Sequence, residues 1–154
     1  MMEGYADVLE AAAFLHDIGY VLALKATGFH PLDGARYLRD ETDAPPLLCM
    51  LVANHTCALI EASERGLQGA LAEEFPIGLP PEPDLVAAIT YCDLSVGPSG
   101  RSTTADERIT EILTRYGDHD LVHKAINYAA PALREQYARV DSARAGVGTY
   151  GQAP

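Results

Sequence analysis

An all-α, single-domain fold is what this sequence predicts, and a few observations carry that expectation. Apolar residues recur at three-and-four spacing along nearly the whole chain, the period of one face of a helix. Prolines and glycines fall where such segments begin and end. No convincing strand alternation or internal repeat competes with the pattern. The 154 residues suit one domain with a real core, and a composition of 48% hydrophobic and 21% charged residues is globular.

The elements follow in order. Tyr5, Val8, Leu9, Ala12 and Leu15 share one face of a helix ending around His16. Gly19 permits a turn, and VLALKATG reads as a short helix closed by Gly28. His30-Pro31 opens the next helix, with His30 at the N-cap and proline at the first helical position. That helix runs through LDGARYLRD, where Gly34 allows a neighbour to approach closely. Pro45-Pro46 begins a helix through LLCMLVANHT, ALIEASERG continues the helical pattern to Gly66, and LQGALAEEF is a further short stretch.

FPIGLPPEP holds four of the ten prolines and is a loop, not a domain linker, because apolar helices flank it. DLVAAITYCDLSV is a nearly all-apolar helix, GPSGRS is a turn, and Thr104 with Glu107 forms a capping box that starts ERITEILTRYG. The last helix or helix pair runs from Asp118 to about Val140, with a kink or restart at Pro131. Residues 1–140 are therefore expected to form the helical domain and 141–154 a loose tail.

The bulk numbers narrow the function. A net charge of −11 repels polyanions, so neither nucleic acid nor an anionic membrane surface is an expected partner. No apolar run is expected to reach the length of a bilayer span, and the N-terminus lacks the basic region of a secretory signal. The three cysteines, Cys49, Cys57 and Cys92, form no CxxC pair and are odd in number. Reduced thiols in a cytoplasmic protein are the expectation.

Several polar residues occupy apolar faces. Leu48, Leu51, Val52 and His55 lie on one stripe, and Val86, Ile89 and Asp93 on another. An ionised carboxylate there is costly unless paired, and no arginine or lysine lies within a turn of Asp93. His16, four residues beyond Ala12, points toward the core, and His30 at its helix start can face inward. Each has an ordinary alternative: a hydrogen-bonded core histidine for His55, a capping role for His30, a chain leaving the core at His16-Asp17. Together, three histidines and two aspartates at the inner ends of four helical segments suit a divalent metal in a bundle core.

The order of these residues resembles the HD-domain superfamily of metal-dependent phosphohydrolases. The likeness runs through AAAFLHDIGY, FHPLDGARYL, LVANHT and AAITYCDLSVGPSG. It implies that His16, Asp17 and Asp93 hold one metal, that His30 and His55 add a second, and that Asp17 bridges the two as the catalytic carboxylate. The implied cofactor is one or two divalent ions of Fe, Mn, Zn, Ni or Mg. The implied reaction is hydrolysis of a phosphomonoester or phosphodiester in a small nucleotide or other phosphorylated metabolite. Metal charge is what would let so acidic a chain accept an anion.

There are departures from the pattern. The family's first ligand is a histidine on a helix before the HD pair, and no histidine precedes His16 here. Either the chain start is truncated or misassigned, or another side chain, a water or a neighbour in a homo-oligomer fills that place. Tyr20 stands where a lysine is frequent, and NHTCALIEASERG replaces the GYP signature of the cyclic-di-GMP branch, whose activity is not expected. Lys25, near the HD turn, and Arg101, after the PSG turn, are the candidate phosphate contacts, against a default of solvated surface charge. His119 and His123, at i, i+4 spacing, read as surface residues. A competing class is a catalytically impaired module that binds metal or a ligand for regulation.

Overall fold

The computed structural model describes residues 3 to 148 and builds them almost wholly from helices. In chain order these are α1 (Ala6–Leu15), α2 (His30–Glu41), α3 (Pro46–Asn54), α4 (Ala58–Glu64), α5 (Gln68–Glu74), α6 (Glu82–Leu94), α7 (Ala105–Arg115) and α8 (Leu121–Gly148). Short 3-10 turns at Ile18–Tyr20, Leu22–Leu24 and His55–Cys57 supplement them. Among the described residues there is no β-strand, only an isolated bridge between Val96 and Ser102 that closes the turn after α6. The expected all-α bundle is what the chain forms.

α6 is the central helix. Its Leu85, Val86 and Ile89 belong to a core shared with α1, α2, α3 and α5. At its far end Leu94 joins a second cluster with Ile109 and Ile112 of α7 and Ile126 and Leu133 of α8. A helix buried on both sides needs apolar residues all round, which is why DLVAAITYCDL shows so little polar face.

The loop before α2 departs from the expected helix over 21–28. Only Leu22–Leu24 is helical, as one 3-10 turn. Asp33, 3% exposed in the first turn of α2, instead gathers the next residues around its carboxylate. It accepts from the backbone N–H of Ala26 at 3.2 Å, Thr27 at 3.0 Å and Gly28 at 3.0 Å, and from the Thr27 hydroxyl at 2.9 Å. Those bonds satisfy amides that a helix would otherwise use, and Gly28 takes the left-handed φ of +76° that turns the chain into His30. His30 is the first residue of α2, with Phe29 at the cap.

Backbone meets backbone where the HD turn crosses α2. A Cβ on Gly19 would lie 2.0 Å from the His30 carbonyl oxygen and 2.8 Å from the Gly34 nitrogen. One on Gly34 would lie 2.9 Å from the Gly19 nitrogen. The close approach expected of Gly34 is thus made, and its partner is Gly19. That contact carries Asp17 up to the start of α2.

α3 and α4 do not form the continuous helical run that was expected. The chain breaks at Thr56 and Cys57, whose φ angles of 49° and 55° lie in the left-handed region. The stretch Pro46–Glu64 is, contrary to expectation, long and apolar enough by composition to cross a bilayer. It is nonetheless divided by this break, and more than half of its window is buried in the core.

The capping box at the start of α7 forms, with Glu107 N–H donating to Thr104 Oγ1 at 3.3 Å and Thr104 N–H to the Glu107 carboxylate at 2.9 Å. α8 runs through Pro131 as one helix and continues to Gly148, beyond the Val140 where helix was expected to end. Contacts with α6 hold this extension. Tyr91 stacks on Tyr137 at 4.5 Å and donates to Asp141 at 2.9 Å, and Arg144 lies 5.1 Å over the Tyr91 ring. The rest of the expected tail, 149–154, lies outside the described residues.

Candidate metal centre

His16 and His55 are placed by the same local device. Each is the C-cap of its helix, α1 and α3 respectively, where backbone carbonyls lack intrahelical partners. The His16 ring turns back so that Nδ1 meets Ala13 O at 2.9 Å, and His55 Nδ1 meets Val52 O at 2.7 Å. A carbonyl only accepts, so Nδ1 carries the proton in both rings. In the neutral ring the Nε2 lone pair is then left for the interior.

α2 contributes His30 from its first residue, the turn after α1 contributes Asp17, and α6 contributes Asp93 one residue before its end. His30 Nε2 lies 3.2 Å from His55 Nε2 and 3.3 Å from Asp17 Oδ1. His16 Nε2 lies 3.5 Å from Asp17 Oδ2 and 3.6 Å from Asp93 Oδ1. Asp17 therefore offers one oxygen to each side. Two donors on one ion with bonds of about 2.1 Å stand roughly 3.0–3.4 Å apart, so these spacings suit a shared metal.

Two sets of ligand atoms fall within 4.8 Å of one another: His16, His55 and Asp93, and Asp17, His30 and His55. Both could hold a metal ion. The grouping differs from the one the resemblance implied, because His55 occurs in both sets and pairs with Asp93 as well as with His30. One Nε2 lone pair serves one ion, so the two sets compete for it.

Thr56 and Thr90 complete the site, and neither was singled out from the sequence. The Thr56 hydroxyl donates to Asp93 Oδ2, and the Thr56 N–H donates to the fully buried Thr90 hydroxyl at 2.9 Å. The left-handed break after α3 thus orients the carboxylate on α6. The available signal was Thr90 itself, a hydroxyl inside an apolar helix about one turn before Asp93.

Charge in the metal-free site follows from burial and pairing. For His16, burial acts to lower the pKa, but the hydrogen bond and charge of Asp93 and the charge of Asp17 outweigh it and raise it to about 9. For His55, 3% exposed, burial dominates and with the neighbouring His30 pushes the pKa down to about 4. Asp93 and Asp17 are both held below the ordinary carboxylate value: burial opposes this, and His16 for the first and His30 for the second overcome it. Both aspartates are anionic at neutral pH and His55 is neutral, the forms in which these groups bind metal.

The cluster forms one wall of a cleft of about 300 Å³, reached by Asp17, His30, His55 and Asp93. Tyr20 also lines it and stacks on His30 with ring centroids 4.0 Å apart, fixing the plane of that imidazole. Burial, reinforced by the charge of Asp17, raises the Tyr20 pKa, so its hydroxyl stays protonated. The remaining wall comes mainly from α4, α7 and α8 and includes Glu61, Arg108, Arg115, Tyr116 and Ile126.

Lys25 and Arg101 are exposed and are not among the residues lining the cleft; the arginines that do line it lie on α7. His119 is exposed as expected, but His123 is only 19% exposed. Its Nδ1 meets Tyr116 O at 2.8 Å, fastening α7 to α8.

Comparison with protein-family models, with curated proteins and with solved structures finds no match.

Proposed function

We propose that the chain is a metal-dependent phosphohydrolase of the HD-domain kind, a phosphomonoesterase or phosphodiesterase acting on a small nucleotide or another phosphorylated metabolite. The observation that carries this reading is the convergence of His16, Asp17, His30, His55 and Asp93 in two donor sets, four of whose members, Asp17, His30, His55 and Asp93, line a ligand-sized cleft. Their order is the second support: adjacent histidine and aspartate, a histidine from each of two following helical segments, then a distant aspartate.

A divalent ion in either donor set would supply Lewis acidity toward a phosphoryl oxygen and lower the pKa of a coordinated water. The chain's own residues prepare for this. Burial keeps His55 uncharged, Tyr20 fixes the His30 ring, and Thr56 fixes the Asp93 carboxylate. Asp17, 54% exposed, is the most open of the acidic ligands and stands where an entering substrate meets the site. Its two oxygens, directed to His16 and His30, suit the bridging role.

The test is phosphate release from nucleoside monophosphates, sugar phosphates and p-nitrophenyl phosphate by the metal-loaded chain. Asp93→Asn should lower turnover by about a hundredfold or more. A second reading, a regulatory metal- or ligand-binding module, draws on the sharing of His55 between both donor sets. A chain that binds metal stoichiometrically yet releases phosphate from none of these esters would establish that reading instead.

A further inference from the structure

The cleft has a positive end as well as a metal-binding one. Arg108 and Arg115 lie seven residues apart on one face of α7, and both line it. Both guanidinium groups pair with Glu111, Arg108 through Nη1 and Arg115 through Nε at 3.3 Å. Their ion partner is thus a residue of their own helix, not Asp17 or Asp93. A single carboxylate balances one of the two cations and occupies few of their N–H donors.

Arg108 is only 14% exposed, and its Nε is buried with no protein hydrogen-bond partner. A buried donor left unpaired is costly, and a cationic one more so. That Nε is closed off from the cleft, so the donors Arg108 can offer a ligand are the Nη N–H groups that Glu111 leaves unused. Ile112, Val122 and Ile126 line the same cleft and add apolar surface for the body of that ligand.

We propose that Arg108 and Arg115 recognise a second anionic group on the substrate, so that the cleft takes a phosphate ester carrying a further carboxylate or phosphate. The phosphoryl group to be cleaved lies at the His/Asp cluster and the second anion at α7. The assignment of the first group rests on the phosphohydrolase reading; that of the second rests on α7 alone.

Calorimetric binding of phenylphosphonate and 4-carboxyphenylphosphonate to the metal-loaded chain tests this without requiring turnover. The carboxylated probe should bind about tenfold tighter or more, and Arg108→Met and Arg115→Gln should each collapse that ratio toward one. Arg115 is 43% exposed, so its variant keeps the test intact if Arg108→Met does not fold. Equal affinities in the parent, a preference surviving in Arg115→Gln, or no binding of either probe would overturn the proposal. Phosphate release from the matching phosphate esters is scored separately. Binding preference without release defeats the hydrolase reading alone, and release from both esters at equal kcat/KM without binding preference defeats the α7 assignment alone.

Discussion

His30 and His55 face each other through their Nε2 atoms at 3.2 Å, although one begins α2 and the other caps α3. Two imidazoles meeting in this way share at most one proton. Protonating both places like charges together, and a cation held between their lone pairs removes the conflict. The pair accounts for why a histidine sits on an otherwise apolar stripe of α3.

Because His55 is common to both donor sets, His55→Gln should weaken metal binding whichever set the ion occupies, whereas His16→Gln and His30→Gln should each weaken one set alone. The loss for His55→Gln should exceed the roughly 10–100-fold that removal of an outer partner costs. Metal titrations followed by calorimetry would resolve the difference. Equal effects of all three substitutions would contradict the shared role.

Thr56 acts through Asp93. Thr56→Val removes the hydroxyl that holds Asp93 Oδ2 and should lower metal affinity about 10–100-fold, while Thr56→Ser should largely restore it. A purely structural role would show as a lower Tm in Thr56→Val with metal affinity unchanged.

Gly19→Ala sets a methyl group 2.0 Å from the His30 carbonyl oxygen, a clash between backbones that no rotamer relieves. Destabilisation of about 1–3 kcal/mol is expected, together with weaker metal binding as His30 and Asp17 move apart. Chemical denaturation and metal titration on the same sample would read both effects.

The metal-free chain should be least stable at the two ends of the pH scale, for opposite reasons. His55 falls from 6.5 unfolded to about 4 folded, so its contribution is present above pH 6.5 and is lost as pH falls through about 4. His16 rises from 6.5 to about 9, so its contribution is present below pH 6.5 and is lost as pH rises through about 9. Tm measured against pH in chelator should show both flanks. His55→Gln should flatten the acid flank and His16→Gln the alkaline one.

Asp17 and His30 stood out only by their order among the other candidate ligands; His16, His55 and Asp93 were legible because each is a polar residue turned toward an apolar face, and Asp93 on α6 is the clearest of them. The break at Thr56 and Cys57 was not, since ALIEASE keeps a helical pattern and left-handed φ at threonine and cysteine has no compositional mark. Asp33 reads as an ordinary acidic residue in a first helical turn, and only the folded loop reveals it as the acceptor for residues 26–28. Arg108 and Arg115 reach the cleft through the packing of α7 against α8 and α6, a long-range fact that helix periodicity does not carry. The Ala- and Gly-containing stretch 141–148 lacks an apolar stripe, and its helix is held by Tyr91 and Arg144 across to α6.

The most direct measurement is the metal content per chain of protein purified without chelator or affinity metal, by elemental mass spectrometry. About one to two equivalents of Fe, Mn, Zn or Ni are expected, falling sharply in Asp93→Asn and His55→Gln. A parent chain that is metal-free and also refuses added metal, or variants that load as fully as the parent, would contradict that expectation.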